Sequence, residues 1–332
     1  MVTNSQSGVI TLVDVARRAG VSSMTVSRVI HGDERVKDST RSRVKEALKA
    51  LNYVPNISAR NLTGSGSLRI CLLYENPSSA YLGELLIGAV EAANQIGANL
   101  VIYQAGKQIS CEQISDSLYH NWDAMIVPPP VSYVADLRRL VAEKKFPTVF
   151  LSSALQPGCA NEIGIDDETA SYQITNAILD KKHRRIGFIK GPPDHLSSEL
   201  RLQGFLRALN EAGVELGPNY VQQGFYTYRS GLDAGRALLR LDPPPTAILA
   251  SNDDMAAGLL VAAVHHGRLV PRDLSIAGFD DTPIATSVWP SLSTVRQPVA
   301  EMASKAVNLA WKIGKDKEQN KPSRTIVLDH KI

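Results

Sequence analysis

The chain runs to 332 residues, 44% of them hydrophobic and 21% charged, enough to bury a substantial core in two or three compact units and so to exclude disorder throughout. Three scattered cysteines, Cys71, Cys111 and Cys159, form no CxxC pair, and the sequence reads without an export signal or a bilayer-length apolar run, so a disulfide framework, a zinc site and a membrane partner are set aside and the expected location is the cytoplasm. Charge is uneven: residues 1 to 69 hold 11 Lys+Arg against 5 Asp+Glu, a balance of +6, while the remaining 25 against 28 leave the larger part at −3, the asymmetry of a nucleic-acid module attached to a near-neutral body.

Residues 1–10 read as a disordered arm. Thr11 followed by Asp14 resembles a capping box, and Leu12, Val15, Ala16 and Ala19 mark one face of a short helix that Gly20 ends. Val21 and Ser22 make a tight turn, Ser22 caps a second helix, and Val26, Val29 and Ile30 turn that helix toward the first; the spacing is that of a helix-turn-helix. Ser23, Met24, Ser27 and Arg28 fall on the opposite face, where small polar residues and one arginine suit a DNA major groove. Arg28 can donate two hydrogen bonds to a guanine edge. A merely solvated polar face is the competing reading, outweighed by the agreement of turn, caps and charge.

A third helix is signalled by Asp38-Ser39-Thr40, with Val44, Ala47, Leu48 and Leu51 inward and Arg41, Arg43, Lys45 and Lys49 outward. Pro55-Asn56 starts another, which Gly64 to Ser67 ends as a flexible linker. Its two turns are too short to be stable alone in water, so something else must order it.

The string Thr11-Leu-Val-Asp-Val-Ala-Arg-Arg-Ala-Gly-Val-Ser-Ser-Met-Thr-Val-Ser-Arg-Val-Ile30, with Tyr53-Val-Pro-Asn56 and Ala59-Arg60-Asn61-Leu62, resembles the lactose-repressor (LacI/GalR) family. The resemblance implies a helix-turn-helix domain at 11–55 and a hinge helix and linker at 56–67. In that family the hinge folds when paired with its dimer mate on a pseudo-palindromic operator, and Leu62, beside Ala59, would wedge into the minor groove and kink the duplex. The DNA-binding set expected is Thr11, Ser22, Ser23, Met24, Thr25, Ser27 and Arg28 in the headpiece with Ala59, Arg60 and Leu62 in the hinge.

From Leu68 onward apolar runs alternate with helical stretches: 68–74, a helix over 81–96, then runs at 99–103, 124–127, 148–151, 185–189, 246–250 and 274–278. That rhythm predicts parallel sheets covered by helices. The resemblance extends through His183-Arg184-Arg185-Ile186-Gly187-Phe188, Arg201-Leu-Gln-Gly204-Phe205, Ala250-Ser-Asn252-Asp253-Asp254 and Gly278-Phe279-Asp280-Asp281. It implies that 68–332 is an α/β periplasmic-binding-protein-like domain with two Rossmann-like sheets, lobe one about 68–159 and 292–322 and lobe two about 163–288 and 324–332. Three crossovers would join them near 158–163, 288–294 and 322–329. Ligands of such sheets sit beyond the strands' C-terminal ends, which makes the cleft between lobes the expected pocket.

Carried over residue by residue, the family's effector contacts fall on Tyr81, Leu82, Ser152, Arg201, Tyr226, Asn252 and Asp280, with Gln297 near a crossover. His195, on a loop after a strand, is placed either against ligand or in solvent. Arg201, Asn252, Asp280 and a flat Tyr226 suit a sugar, whose hydroxyls need donors and acceptors while its C–H face stacks on a ring. The structural alternative is that Arg201 and Asp280 simply pair and that Asp253 caps a helix. One departure from the family is Ser152-Ser153, where many members carry an acid; another is Pro128-Pro129-Pro130, which stiffens a strand end facing the cleft.

An enzyme of the dinucleotide type needs a glycine-rich turn after the first strand, yet Tyr74 is followed by Glu75-Asn-Pro-Ser-Ser-Ala80. There is no GxSxG, P-loop or HExxH, and His265-His266 lacks metal-ligand spacing. No enzyme, cofactor or metal is expected. The chain reads as a repressor released by a small-molecule effector, a sugar or sugar derivative. A corepressor, a partner protein or a solute-binding role are the alternatives. Without a heptad tail the expected assembly is a homodimer.

Overall fold

The computed structural model describes residues 12–30, 33, 35–51, 67–76, 78–105, 114, 115, 118, 121–151, 158, 160–315 and 322–332. The arm expected at 1–10, Thr11, the expected hinge residues Ala59, Arg60 and Leu62, Ser152 and Ser153, and Cys111 and Cys159 lie outside the described residues. The chain divides between Ser67 and Leu68 into two compact units.

In the first unit, helices α1 (Leu12–Ala19), α2 (Ser23–Ile30) and α3 (Asp38–Ala50) share a core of Val15, Ala16, Ala19, Val26, Val29, Val44 and Ala47. These residues are small, so three short helices approach closely and none needs to be stable alone. Gly20 takes φ +61°, a left-handed conformation that costs glycine least, and so ends α1 and turns the chain. Ser22 Oγ accepts the backbone N–H of Thr25 at 3.2 Å and thereby caps α2. From the first turn of α3, Arg41 Nη2 donates to the Asp33 carbonyl at 2.8 Å.

The second unit contains two parallel sheets. The first has six strands, β1 (Arg69–Tyr74), β2 (Asn99–Gln104), β3 (Ala124–Val127), β4 (Thr148–Leu151), β5 (Asn161–Gly164) and β10 (Thr325–Val327), in the order β10-β5-β4-β3-β1-β2. The second has β6 (Ile186–Lys190), β7 (Val221–Gln223), β8 (Ala247–Ala250) and β9 (Ser275–Ala277), in the order β7-β6-β8-β9. Strands buried on both faces are apolar throughout, and the period of two sorts their side chains. Ile70 and Leu72 join one cluster while Cys71 and Leu73 join that on the other face; Phe188 and Ile189 split likewise in the second sheet.

Helix α4 (Ser79–Ile96) is capped by Ser78 Oγ, which accepts Tyr81 N–H at 3.2 Å, so it starts two residues before its apolar periodicity. It packs on the first sheet with α11 (Val299–Lys315), while α5 (Ala135–Lys144) covers the far face. Helices α6 (Asp167–Asp180) and α7 (Leu196–Glu211) pack on one face of the second sheet, α8 (Tyr228–Leu239) and α9 (Asp253–His265) on the other; α10 (Pro283–Ser287) follows β9. Gly231 and Gly258 face each other's helix so closely that a Cβ on either would sit 2.1–2.2 Å from a backbone carbonyl oxygen, of Met255 and Tyr228 respectively.

The lobe boundaries differ from those expected. β5 pairs with β4 and β10 with β5, so residues 163–164 and 325–327 belong to the first sheet, not to lobe two. Ser293 bridges Ala277 and Arg296 bridges Asp280, which keeps that stretch with the second sheet rather than lobe one. Backbone pairing therefore moves the first two crossings C-terminally, to after Gly164 and between Arg296 and Val299, while the third, after Val327, falls within the expected 322–329.

Candidate functional site

On α2, burial of Val26 and Val29 dictates which side chains turn outward. Met24 is 66% exposed, Ser22 is exposed, and Ser23, Thr25 and Ser27 are half-buried. Ser23 and Ser27, and Met24 and Arg28, stand four residues apart and so lie in adjacent rows on that face. Arg28, its side chain 54% exposed, reaches among the described residues a loose ion pair with Asp33 at 4.0 Å, which leaves its fork available to a guanine edge or a phosphate. The Ser22 and Thr25 hydroxyls hydrogen-bond at 2.9 Å. This face can dock on DNA through its groove edges without disturbing the helix-turn-helix core.

In the second unit a cleft open to solvent lies where strand ends from both sheets meet. Asn76 and Ser78 follow β1, Tyr81 sits in the first turn of α4, and Pro129 follows β3. From the other lobe come His195, Ser197 and Arg201 after β6, Tyr226 after β7, Asn252 after β8 and Asp280 after β9, with Gln297 on a crossing segment. Gln297 apart, every contributor stands beyond a C-terminal strand end or in the helix that follows, as open α/β sheets dictate. Tyr226, Asp280 and Asp281 hold positive φ, at 57°, 112° and 59°, a concentration of backbone strain at the cleft rim.

Arg201, 5% exposed, anchors the electrostatics. Its Nε donates to Asp167 Oδ1 at 2.6 Å and its Nη1 to the Ser251 carbonyl at 2.5 Å, with Asp280 Oδ1 at 3.5 Å. The guanidinium lies 3.6 Å over the Phe279 ring. Burial opposes its charge, but Asp167, Tyr226 and Asp280 outweigh burial and hold its pKa above the ordinary value. Gln297 Nε2 donates to Asp280 Oδ1 at 2.9 Å. Burial pushes the Asp280 carboxyl well above the usual range despite Arg201. Burial likewise lifts the Tyr226 hydroxyl to about 12 and lowers His195 to about 4, so His195 is neutral near pH 7. The His195 ring meets Tyr226 edge-on at 5.2 Å, giving the cleft two flat apolar surfaces beside its donors and acceptors.

Seven of the expected effector residues converge here: Tyr81, His195, Arg201, Tyr226, Asn252, Asp280 and Gln297. Leu82 does not; one residue further round α4, it packs against the core. His195 is 4% exposed, which excludes the solvent placement. Asn252 is committed to structure, accepting Met255 N–H at 3.0 Å as the cap of α9 and donating to the Tyr226 carbonyl at 3.2 Å. Asp253 is therefore not the cap: its carboxylate accepts from Thr282 N–H at 2.8 Å and from the Thr294 and Thr282 hydroxyls at 2.6 and 3.2 Å.

Sequence reasoning missed Asn76, Ser78, Ser197 and Asp167. Ser78 Oγ donates to Asp254 Oδ2 at 2.8 Å, a hydrogen bond that ties the first lobe to the second. Asp167 carried a signal, an Asp166-Asp167 pair opening a helix, but its partner Arg201 lies 34 residues away. Among the described residues no group of three His, Cys, Asp or Glu side chains is arranged to hold a metal ion, and no helix is long and apolar enough to cross a membrane.

Residues 11–56 match the family model described as bacterial regulatory proteins, lacI family, and residues 175–330 match a periplasmic binding protein-like domain. The chain is 31% identical over 329 residues to catabolite control protein A of Priestia megaterium, covering 97% of both chains. Among solved structures, a lac repressor dimer bound to operator and the anti-inducer ONPF aligns at a TM-score of 0.78 and 26% identity over 97% of each chain. A complex of the transcriptional regulator CelR with cellobiose aligns at 0.72 and 28% identity, covering 97% of this chain and 98% of that one.

Proposed function

The chain belongs to the lacI family of bacterial regulatory proteins, and on that premise we propose that it is a homodimeric repressor whose grip on a pseudo-palindromic operator is released by a sugar bound in the cleft. It is a DNA-binding transcription regulator, α2 carries its reading face, and it acts in the cytoplasm, where bacterial DNA is. A non-catalytic role is supported by its relatives, which are transcription regulators.

The observation that carries the reading is the pairing of Arg201 with Asp280 at 3.5 Å inside a cleft lined by Tyr226 and His195. A sugar hydroxyl both donates and accepts, so one hydroxyl can satisfy a guanidinium N–H and a carboxylate oxygen together. The cellobiose bound to the structural relative CelR points the same way.

The lobes give the switch its moving parts. Three segments cross between the sheets, and Ser78 with Asp254 spans them directly. A ligand that touches both lobes stabilises their closed arrangement by its differential affinity, and about 1–3 kcal/mol of coupling suffices to change operator affinity many-fold. The proposed domain plan keeps a hinge helix at 56–67 as the element that responds, with Leu62 as its wedge. A two-fold protein calls for two-fold DNA.

Titration of candidate sugars against operator binding with purified chain tests this. One sugar is expected to weaken operator binding by about tenfold or more. If no sugar does so, and mass spectrometry of the purified protein finds a different compound in the cleft, the sugar reading is lost.

A further inference from the structure

We propose that the effector carries no phosphate or carboxylate, and that Asp167 enforces this choice by occupying the Arg201 guanidinium; the inference rests on the sugar reading above. A lone arginine in a cleft ordinarily recruits an anion, because its fork donates two parallel N–H bonds to a phosphate or carboxylate. Here both forks are broken. Asp167 takes Nε at 2.6 Å, the Ser251 carbonyl takes Nη1 at 2.5 Å, and Phe279 covers one face of the plane. Among the described residues Nη2 alone is left for a ligand. Its two N–H bonds diverge, so without Nε or Nη1 beside them they cannot grip two oxygens of one phosphate in parallel, whereas either can donate to the oxygen of one hydroxyl.

Charge points the same way. Among the described residues that line the cleft Arg201 is the only Lys or Arg, and it faces two carboxylates, Asp167 and Asp280. With both ionised the trio sums to −1; with a proton on Asp280 it sums to zero. Neither state attracts an anion. Helix N-termini are the other usual anion cradles. Those of α6 and α9 are already flanked by carboxylates, Asp166, Asp167 and Glu168 on one and Asp253 and Asp254 on the other. Asp167 is 1% exposed, so its charge cannot be moved aside to admit a competitor.

The test is calorimetric titration of the full chain with matched pairs: glucose and glucose 6-phosphate, galactose and galactose 1-phosphate, ribose and ribose 5-phosphate. A parent sugar is expected to bind at least about 100-fold more tightly than its ester, since like charges at close range cost several kcal/mol. In Asp167→Asn, which still accepts from Nε, the gap should narrow by about tenfold; in Asp167→Glu, which keeps the charge, it should persist. Inorganic phosphate, added at millimolar concentration to the native chain, should not displace the bound sugar, a measurement that stands even where a variant does not fold. An ester that equals or beats its parent, a gap unmoved by Asp167→Asn, or displacement by phosphate overturns this inference alone. Absence of binding by every member of the panel removes the sugar reading itself.

Discussion

The reading face of α2 and the cleft of the second unit hold their side chains in opposite ways. Met24 and Arg28 stand in solvent on a helix whose other face is packed, so their neighbours tolerate their loss. Arg201, Asp167, Asp280 and Gln297 are buried and hydrogen-bonded to one another, so each is part of the others' environment. An exposed recognition surface separates function from stability, whereas a buried polar network fuses them. Substitutions in the two places should therefore differ in kind as well as in size.

The largest effect is expected at the centre of the network. Arg201→Ala leaves Asp167 and Asp280 buried without a counter-charge, a loss that costs about 3–5 kcal/mol. Urea unfolding should show that loss, and effector binding should vanish with it. Unchanged stability would mean the two acids neutralise themselves at no cost, and the fusion of stability with function would be wrong for this site.

The acids also give the cleft unit a pH signature. Burial lifts the Asp253 carboxyl from 3.8 to about 6, against the opposing hydrogen bonds from Thr294 and Thr282. The folded chain then holds this proton more tightly than the unfolded one, so the stability this carboxyl contributes is fully present below about 4 and is lost as pH rises through about 6. The difference between 3.8 and about 6 corresponds to about 3 kcal/mol. Asp254 and Asp280, also lifted by burial, push in the same direction. Asp253→Asn should flatten the decline in urea unfolding between these limits, and an unaltered slope would assign it to the other two acids.

The same contrast explains what could be read beforehand. The headpiece is written locally: α1, the turn at Gly20 and the α2 cap all lie within twenty residues, and each rule points to the same answer. Strands β1, β3 and β4 are continuous apolar runs and were equally plain. β5 was not, because Glu162 stands in the middle of it, buried and paired with Arg138 at 2.9 Å, which breaks the apolar pattern a buried strand shows. β7 and β10 are three-residue edge strands, too short and too exposed for periodicity. The cleft became visible through family resemblance, since its side chains arrive from loops far apart. Asp167 and Ser78 escaped because each acts through a partner on another element, 34 and 176 residues distant.

On the exposed side of the comparison the expected loss is smaller and falls on DNA alone. Arg28→Ala should cost about 1–3 kcal/mol of discrimination between a duplex selected from a random pool and a scrambled one, as loss of a bidentate guanine contact does. Fluorescence anisotropy measures it. Effector affinity and unfolding should stay unchanged, stability within about 0.5 kcal/mol, because the side chain is half exposed. A large loss of stability would place Arg28 in the headpiece core and erase the distinction.

The smallest effect tests the bond that joins the lobes. Ser78→Ala removes the donor to Asp254 Oδ2, and an opened cleft should bind effector about fivefold more weakly, close to 1 kcal/mol. Ser78 also caps α4, so stability will fall as well, by about 1 kcal/mol. Asp254→Asn separates the two roles: it weakens the bond between lobes and leaves the cap in place. A matching loss of effector affinity in both variants, with the stability loss confined to Ser78→Ala, identifies a latch. If Asp254→Asn binds effector as the native chain does, Ser78 serves only as a helix cap and lobe closure depends on the ligand alone.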